Sequence, residues 1–164
     1  MSEQQMTERK AMNEQRLAAA QARDEKLSTH PNLNRLVKEG FQLKVWDDRY
    51  SAGIHVALGR EYSQEFNEVC ELTDSADIEA AGLSEYLHNS GSWLPFSCGE
   101  TIQEAFDLLE EKLNQLPQEQ ITSCSEWAEF YDLALRSIIE SADGDYGIAN
   151  AIDSGKLPCD PIKK

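Results

Sequence analysis

The chain has 164 residues, of which 40% are hydrophobic, and its 30 acidic residues outnumber 15 basic residues to give a formal net charge of −15. This length and apolar content suit one globular domain with a substantial core. Because like charges repel, the charge opposes direct binding to nucleic acid or to an anionic membrane and favours a basic protein partner.

Residues 1–30 are predicted to form a polar N-terminal helical extension. They are rich in good helix formers and contain no Gly or Pro, and their acidic and basic residues balance. Met6, Met12 and Leu17 are too sparse to form a complete core-facing stripe. We therefore expect either a solvated helix or a helix that docks onto a partner or a second copy of the chain, which would make a homodimer.

A single acidic α+β domain is predicted over residues 31–157, followed by a C-terminal tail at 158–164. The boundary near residue 30 is marked by the change from a neutral to an acidic segment. Residues 32–39 predict a short helix with Leu33, Leu36 and Val37 on one face, closed by Gly40. Alternating apolar residues then predict a β-hairpin at 41–58, and a helix is favoured from Ser63.

Three longer helices are predicted at about 75–88, 102–116 and 124–141. The last two each begin with a predicted capping box, formed by Thr101 with Glu104 and by Ser123 with Glu126. Their apolar stripes are expected to form the core together; the stripes contain Ile102, Ala105, Phe106, Leu109, Leu113 and Leu116, and Trp127, Phe130, Tyr131, Ala134, Ile138 and Ile139.

Two shorter elements complete the predicted fold. Residues 93–96 predict an extended piece, and 145–154 predict a short helix. The strand count stays open: if 93–96 and the segment near Val69 join the hairpin, the sheet has three or four strands. The fold class is therefore α+β, with a small antiparallel sheet packed against three or more helices and an extended N-terminal helix.

The negative charge is concentrated in residues 61–145, which contain twenty acidic residues and two basic ones, Lys112 and Arg136. This stretch is too rich in aromatic residues to be a disordered acidic tail. Solubility alone requires a net charge of only about 2 to 8 in a small domain. We therefore predict a partner-binding acidic face made of Glu100, Glu104, Asp107, Glu110, Glu111, Glu126, Glu129 and Asp132.

The predicted function is that of a non-enzymatic acidic binding protein whose partner is a basic protein surface, such as that of a nucleic-acid-binding protein. One version is an inhibitor that mimics nucleic acid, of the kind that phages and mobile elements direct against host defence. The alternative is an acidic adaptor without mimicry. The order of extended segment, Gly99 and capped helix resembles small antitoxin-like domains over about twenty residues only, and because this order recurs in unrelated folds it identifies no family.

A small cysteine-dependent enzyme is the third possibility. Cys98 precedes a predicted helix N-terminus, where His55 or His88 could serve as its base. However, no local signature surrounds either histidine, and Glu100 opposes thiolate formation, so no catalytic residue is predicted.

No metal site or cofactor is predicted either. The four cysteines, Cys70, Cys98, Cys124 and Cys159, and the three histidines lack zinc-site spacing, and residues 143–154 depart from the calcium-loop pattern. Met1–Lys10 is polar where a signal peptide would be apolar, and no apolar run reaches membrane-spanning length. The expected location is the cytoplasm.

Overall fold

The computed structural model describes residues 2–27, 29–47, 53–74, 78–89, 93–142 and 147–157. Within these ranges the fold is α+β, as predicted, and its elements are α1 (Glu3–Leu27), α2 (Pro31–Lys38), β1 (Phe41–Asp47), β2 (Ile54–Arg60), α3 (Gln64–Thr73), α4 (Ile78–His88), β3 (Phe96–Gly99), α5 (Ile102–Asn114), a 3₁₀ turn (Gln118–Gln120), α6 (Glu126–Ser141) and α7 (Gly147–Asp153). Of the helices that the structure describes, none combines the length and the apolar character needed to cross a membrane.

The sheet has β2 at its centre, paired antiparallel with β1 on one side and with β3 on the other. The predicted hairpin is confirmed, with Leu43 opposite Leu58, and β2 extends two residues further than predicted, to Arg60. Val56, Ala57 and Leu58 are all at most 1% exposed, although consecutive residues point to opposite faces of a strand. Both faces of β2 are therefore covered.

Helices cover the two faces of the sheet. On one face, the Ser97 hydroxyl of β3 donates to the Ala105 carbonyl of α5 at 2.7 Å. On the other face, Gly59 of β2 lies against the ring of Phe66 in α3, and α4 packs against β3. Cross-strand neighbours share a face, so α5 and α3 lie on opposite sides of the sheet.

The remaining long helix, α6, packs mainly against α3 and α7, whereas α5 packs against the sheet and α2. The apolar stripes of α5 and α6 therefore belong to one core but pack against different elements of it. Tyr131 of α6 is fully buried and its hydroxyl donates to the Leu58 carbonyl. Burial raises the pKa of this hydroxyl well above its usual value.

One predicted core position is wrong, because Ile102, in the first turn of α5, is 53% exposed. Val37, which shares a face of α2 with the buried Leu33 and Leu36, is 42% exposed. Leu135 of α6 is fully buried instead, together with the predicted Tyr131 and Ile138.

The third strand is displaced from its predicted position at 93–96 to Phe96–Gly99. Trp93 and Leu94 are buried in the core before the strand begins. Pro95 separates them from the strand and has no N–H to contribute to a ladder, so regular pairing begins at Phe96.

The predicted cap of α5 is confirmed in part, because the Thr101 hydroxyl accepts the Glu104 N–H at 3.1 Å. The Glu104 carboxylate accepts the N–H of Glu100 at 2.7 Å, one residue earlier than in a capping box. The predicted cap of α6 is wrong. Ser125, not Ser123, accepts the Ala128 N–H at 3.2 Å, and Ser125 also donates to the Thr122 carbonyl at 2.7 Å.

Other boundaries differ by a few residues. α2 begins at Pro31 and is followed by Gly40 with a φ of +104°, and α3 has Ser63 as its N-cap, as predicted. α5 ends at Asn114 rather than at 116, and α6 begins at Glu126 rather than at 124. The predicted beginning of the helix at 75, part of the hairpin's second strand at 50–52 and the tail at 158–164 lie outside the described residues.

Candidate functional site

Four of the eight predicted partner-binding residues lie at the beginning of α5 and along one of its sides. Glu104, Asp107 and Glu111 are three and four residues apart, which is the spacing of neighbours on one face of a helix. Glu100 precedes the N-cap Thr101, and its N–H donates to the Glu104 carboxylate. All four are exposed. We refer to these four carboxylates as the acidic stripe.

Two members of the acidic stripe also make local hydrogen bonds. Glu104 holds the N–H of Glu100, as described above. Asp107 accepts from Nε2 of His30 at 2.7 Å and from the amide of Gln103 at 2.9 Å. The hydrogen bond from His30, followed by that from Gln103, holds the pKa of Asp107 below its usual value.

Two other predicted residues are not available to a partner. Glu110 is only 6% exposed, and its two carboxylate oxygens accept the N–H groups of Asn32 at 2.8 Å and Leu33 at 2.9 Å. The first turn of α2 needs this acceptor because the preceding residue, His30, provides no side-chain cap. Glu110 therefore stabilises the docking of α2 on α5.

Asp132 of α6 is likewise engaged within the protein. Its carboxylate accepts from the Arg60 guanidinium at 2.8 Å and from the Ser63 hydroxyl at 3.0 Å. Because Ser63 is also the N-cap of α3, this network joins α6 to the end of β2 and the beginning of α3. Both Glu110 and Asp132 are thus corrections to the predicted face.

The last two predicted residues, Glu126 and Glu129, are exposed in the first turn of α6. Negative charge is favourable there because the N–H groups of the first turn carry partial positive charge. Their helix packs on other elements than α5 does, so they are not part of the acidic stripe. Glu126 and Glu129 therefore stabilise α6 itself, and this local effect explains part of their presence in the sequence.

The two basic residues of this acidic region do not neutralise the acidic stripe. Lys112 lies in α5, but its ammonium donates to the backbone carbonyls of Leu87 at 2.7 Å and Phe96 at 3.0 Å. Burial lowers the pKa of Lys112 to about 7. Arg136 of α6 pairs with Glu65 of α3 at 2.9 Å, and this hydrogen bond lowers the pKa of Glu65.

A second group of reactive side chains lies between the sheet and α4. One donor atom from each of His55, His88 and Cys98 lies within 4.8 Å of the other two. Nδ1 of His55 is 2.7 Å from Nε2 of His88. We call these three residues the His–Cys cluster. Sequence analysis considered Cys98 with His55 or His88 only as a nucleophile and its base, and it predicted no site, because the three residues come from different elements, β2, the end of α4 and β3.

The His–Cys cluster is held by regular structure. His55 and Cys98 are directly opposite on adjacent strands, and His55 is only 1% exposed. The indole of Trp46 stacks on the His55 imidazole, with ring centroids 5.2 Å apart and planes 11° from parallel. Gly53 provides the space beside Cys98, since a Cβ at this glycine would lie 2.5 Å from the Cys98 sulfur.

Comparison of the chain with protein-family models, with curated proteins and with solved structures found no match. The function is therefore inferred from the residues themselves and their geometry.

The N-terminal helix is a further exposed element. Every side chain from Glu3 to Gln21 is exposed, including the apolar residues Met6 at 60%, Met12 at 50% and Leu17 at 61%. Met6 and Leu17 line the same shallow groove along the helix together with Arg9, Lys10, Asn13 and Glu14. An exposed helix of this length is compatible with the predicted docking to a partner or to a second copy.

Proposed function

We propose that this protein is a non-enzymatic binding protein that engages a basic surface of another protein through the acidic stripe of α5. The single observation that carries the proposal is the exposure of Glu104, Asp107 and Glu111 on one face of α5, continued by Glu100 just before the helix. Like charges three or four residues apart each cost a helix a few tenths of a kcal/mol. A basic partner would convert this repulsion into attraction.

The position of the nearby cations supports the proposal. Lys112 is the only basic residue of α5, and its ammonium is directed at backbone carbonyls rather than at the acidic stripe. Glu111 lies near the C-terminal end of α5, where the helix dipole disfavours an acid, so helix stability does not explain its presence. A partner that supplies Lys or Arg side chains would explain the presence of Glu111.

The charge density favours a basic partner without nucleic-acid mimicry. Within α5, the stripe residues Glu104, Asp107 and Glu111 are three and four residues apart, which places successive carboxylates about 5 Å apart along the helix axis. A DNA duplex carries one charge per about 1.7 Å and a single strand one per about 3.4 Å. The acidic stripe alone thus has about a third of the density of a duplex.

Mimicry is the second candidate because α6 contributes more exposed carboxylates. A nucleic-acid-mimicking inhibitor, with the phage or mobile-element origin that this would suggest, would need Glu126 and Glu129 to act together with the acidic stripe. The two versions therefore differ in whether α6 contributes to binding. Both functions are proposed for the cytoplasm, where thiols such as those of Cys70, Cys98 and Cys124 stay reduced.

The experiment compares three charge-matched variants of the full chain as bait in native-cell extract. The test variant carries Glu100→Gln, Glu104→Gln and Glu111→Gln. The control carries Glu3→Gln, Glu8→Gln and Glu14→Gln in α1, and the third variant carries Glu126→Gln, Glu129→Gln and Glu140→Gln in α6. All nine residues are exposed, and each variant loses three negative charges.

A partner captured by the wild type is then purified and its affinity is measured by calorimetry at two salt concentrations. Three exposed charge contacts of about 0.5 kcal/mol each predict a loss of about tenfold for the α5 variant, with little change for the α1 variant. Retention of full affinity by the α5 variant would overturn the proposal. An equal loss in the α6 variant, with competition by nucleic acid, would favour mimicry.

A further inference from the structure

The ligand chemistry of the His–Cys cluster points beyond protein binding. Two imidazoles and one thiol are the side chains that bind Zn²⁺ most often, and carboxylates, which would favour Mg²⁺ or Ca²⁺, are not among the three. We propose that His55, His88 and Cys98 bind a zinc ion through one nitrogen of each imidazole and the thiolate sulfur.

The distances are close to those that zinc requires. With Zn–N bonds of about 2.0–2.1 Å and a Zn–S bond of about 2.3 Å, tetrahedral ligand atoms lie roughly 3.3–3.7 Å apart. The His55 and His88 nitrogens are 2.7 Å apart and all three donors lie within 4.8 Å of one another. Side-chain adjustments of about 1 Å are thus enough to surround an ion.

The arrangement favours a metal site over a nucleophilic cysteine. In an extended nucleophile relay, the thiol, the base and the orienting group follow one another in a row. Here one donor atom of each residue lies within 4.8 Å of both others, so all three can reach a common point. Convergence of three donors is what coordination needs.

The supporting contacts hold the three ligands in place without a metal. His55 is fixed by stacking on Trp46, and Cys98 is fixed opposite it on β3. His88 is the last residue of α4, and Lys112 joins the preceding residue, Leu87, to Phe96 at the beginning of β3. Such contacts behind the ligands reduce the cost of ordering them when the ion binds.

Three protein ligands leave one position of a tetrahedral ion open. Structural zinc sites are usually closed by four protein ligands, whereas sites with three hold a water or an exogenous ligand. His88 and Cys98 are only partly buried, so the ion and such a ligand can reach the cluster from solvent. The proposed site is therefore of the open type.

The test uses the full chain, freed of metal by a chelator and kept under reducing conditions. Cobalt(II) is the probe, because a cobalt–thiolate bond gives a charge-transfer absorption and tetrahedral cobalt gives intense visible bands. We expect one equivalent of cobalt to produce both signals and zinc to displace it. Zinc should also raise the melting temperature, since it binds the folded state.

The variants Cys98→Ser and His88→Gln remove partly buried ligands and leave the core residue His55 intact. Changes outside the ligand shell already cost about 10–100-fold in affinity, so each of these should weaken zinc binding by more than about a hundredfold. Cys98→Ser should abolish the charge-transfer band. Cys124→Ser and His30→Gln change a thiol and an imidazole outside the cluster and should bind as the wild type does.

Unchanged zinc affinity in Cys98→Ser and His88→Gln would overturn the proposal, and so would a folded wild type that binds neither metal. In the second case, alkylation of Cys98 by iodoacetamide much faster than that of Cys124 would assign the cluster to nucleophilic chemistry instead. The acidic-stripe variants should bind zinc normally, so the two proposals can fail separately.

Discussion

The buried carboxylate of Glu110 in α5 accepts the backbone N–H of Leu33 in α2 at 2.9 Å. Its other oxygen accepts the N–H of Asn32, so a single side chain satisfies two donors at the beginning of α2. An acid selected from the sequence as a partner contact is thus an internal cap. Its neighbour Glu111 is exposed, which provides a matched comparison.

We expect Glu110→Gln to lower the free energy of unfolding by about 2 kcal/mol, the value of a hydrogen bond to a charged group. A glutamine offers one acceptor oxygen and turns an NH₂ group toward the second N–H. Glu111→Gln should change stability by less than about 0.5 kcal/mol. Urea unfolding measures both, and equal effects of the two substitutions would show that Glu110 does not cap α2.

The N-cap of α6 can be tested with two neighbouring serines. Ser125 accepts the Ala128 N–H, whereas Ser123 lies in the preceding turn. Removal of an N-cap hydroxyl typically costs about 1 kcal/mol, so Ser125→Ala should lower the melting temperature and the free energy of unfolding accordingly. Ser123→Ala should be nearly neutral. A larger loss of stability in Ser123→Ala than in Ser125→Ala would show that Ser123 is the N-cap, as the sequence predicted.

Gly59 is required where α3 packs on the sheet. A Cβ at this position would lie 2.1 Å from the nearest ring atom of Phe66, which is fully buried. Gly59→Ala should therefore destabilise the fold by at least about 2 kcal/mol, as forced overpacking does. Adding Phe66→Leu should cost less in this background than in the wild type, because the smaller side chain makes room. Additive effects in chemical denaturation would argue against the contact.

Gly82, in the middle of α4, is the control for this close packing. Among the residues that the structure describes, a Cβ there would meet no atom within 4 Å beyond its chain neighbours and the backbone of its own helix. Alanine in a helix interior is more favourable than glycine by roughly 0.5–1 kcal/mol, so Gly82→Ala should stabilise the protein. Opposite signs for the two glycine substitutions, measured under the same conditions, are the expected result.

Lys112 makes stability depend on pH. Burial in the folded state lowers its pKa to about 7 from the usual value of about 10.5. Between these pH values the unfolded chain binds one more proton than the folded chain does. The contribution of Lys112 to stability therefore rises with pH, by up to about 1.4 kcal/mol per unit. Below pH 7 the full penalty of burying the charge is present.

The measurement is the difference in free energy of unfolding between the wild type and Lys112→Met, in the presence of chelator. The free energy of unfolding of the wild type should increase relative to that of the variant as the pH rises from about 7 to 10. Other titrating groups, including the buried thiol of Cys70, occur in both proteins and cancel. A difference that stays constant over this range would mean that Lys112 remains charged in the folded protein.

Local signals in the sequence were sufficient for most of the fold. The alternation of apolar residues predicted the hairpin, and the hydroxyl of Thr101 predicted the beginning of α5, because both effects act between residues close in the chain. The charge excess and its concentration in residues 61–145 are likewise properties of the sequence alone. They predict a basic partner but not the surface that would meet it.

Only the tertiary structure decided which side chains meet. Strand alternation placed the His55 side chain on the sheet face opposite to that of Ile54 and Val56. It could not show that the end of α4 would bring Nε2 of His88 to 2.7 Å from Nδ1 of His55. Helical periodicity likewise identified the acids of α5 without showing that α2 would cover Glu110 and leave the acidic stripe exposed. Periodicity specifies the face on which a residue lies, whereas the element that covers this face depends on packing between distant parts of the chain.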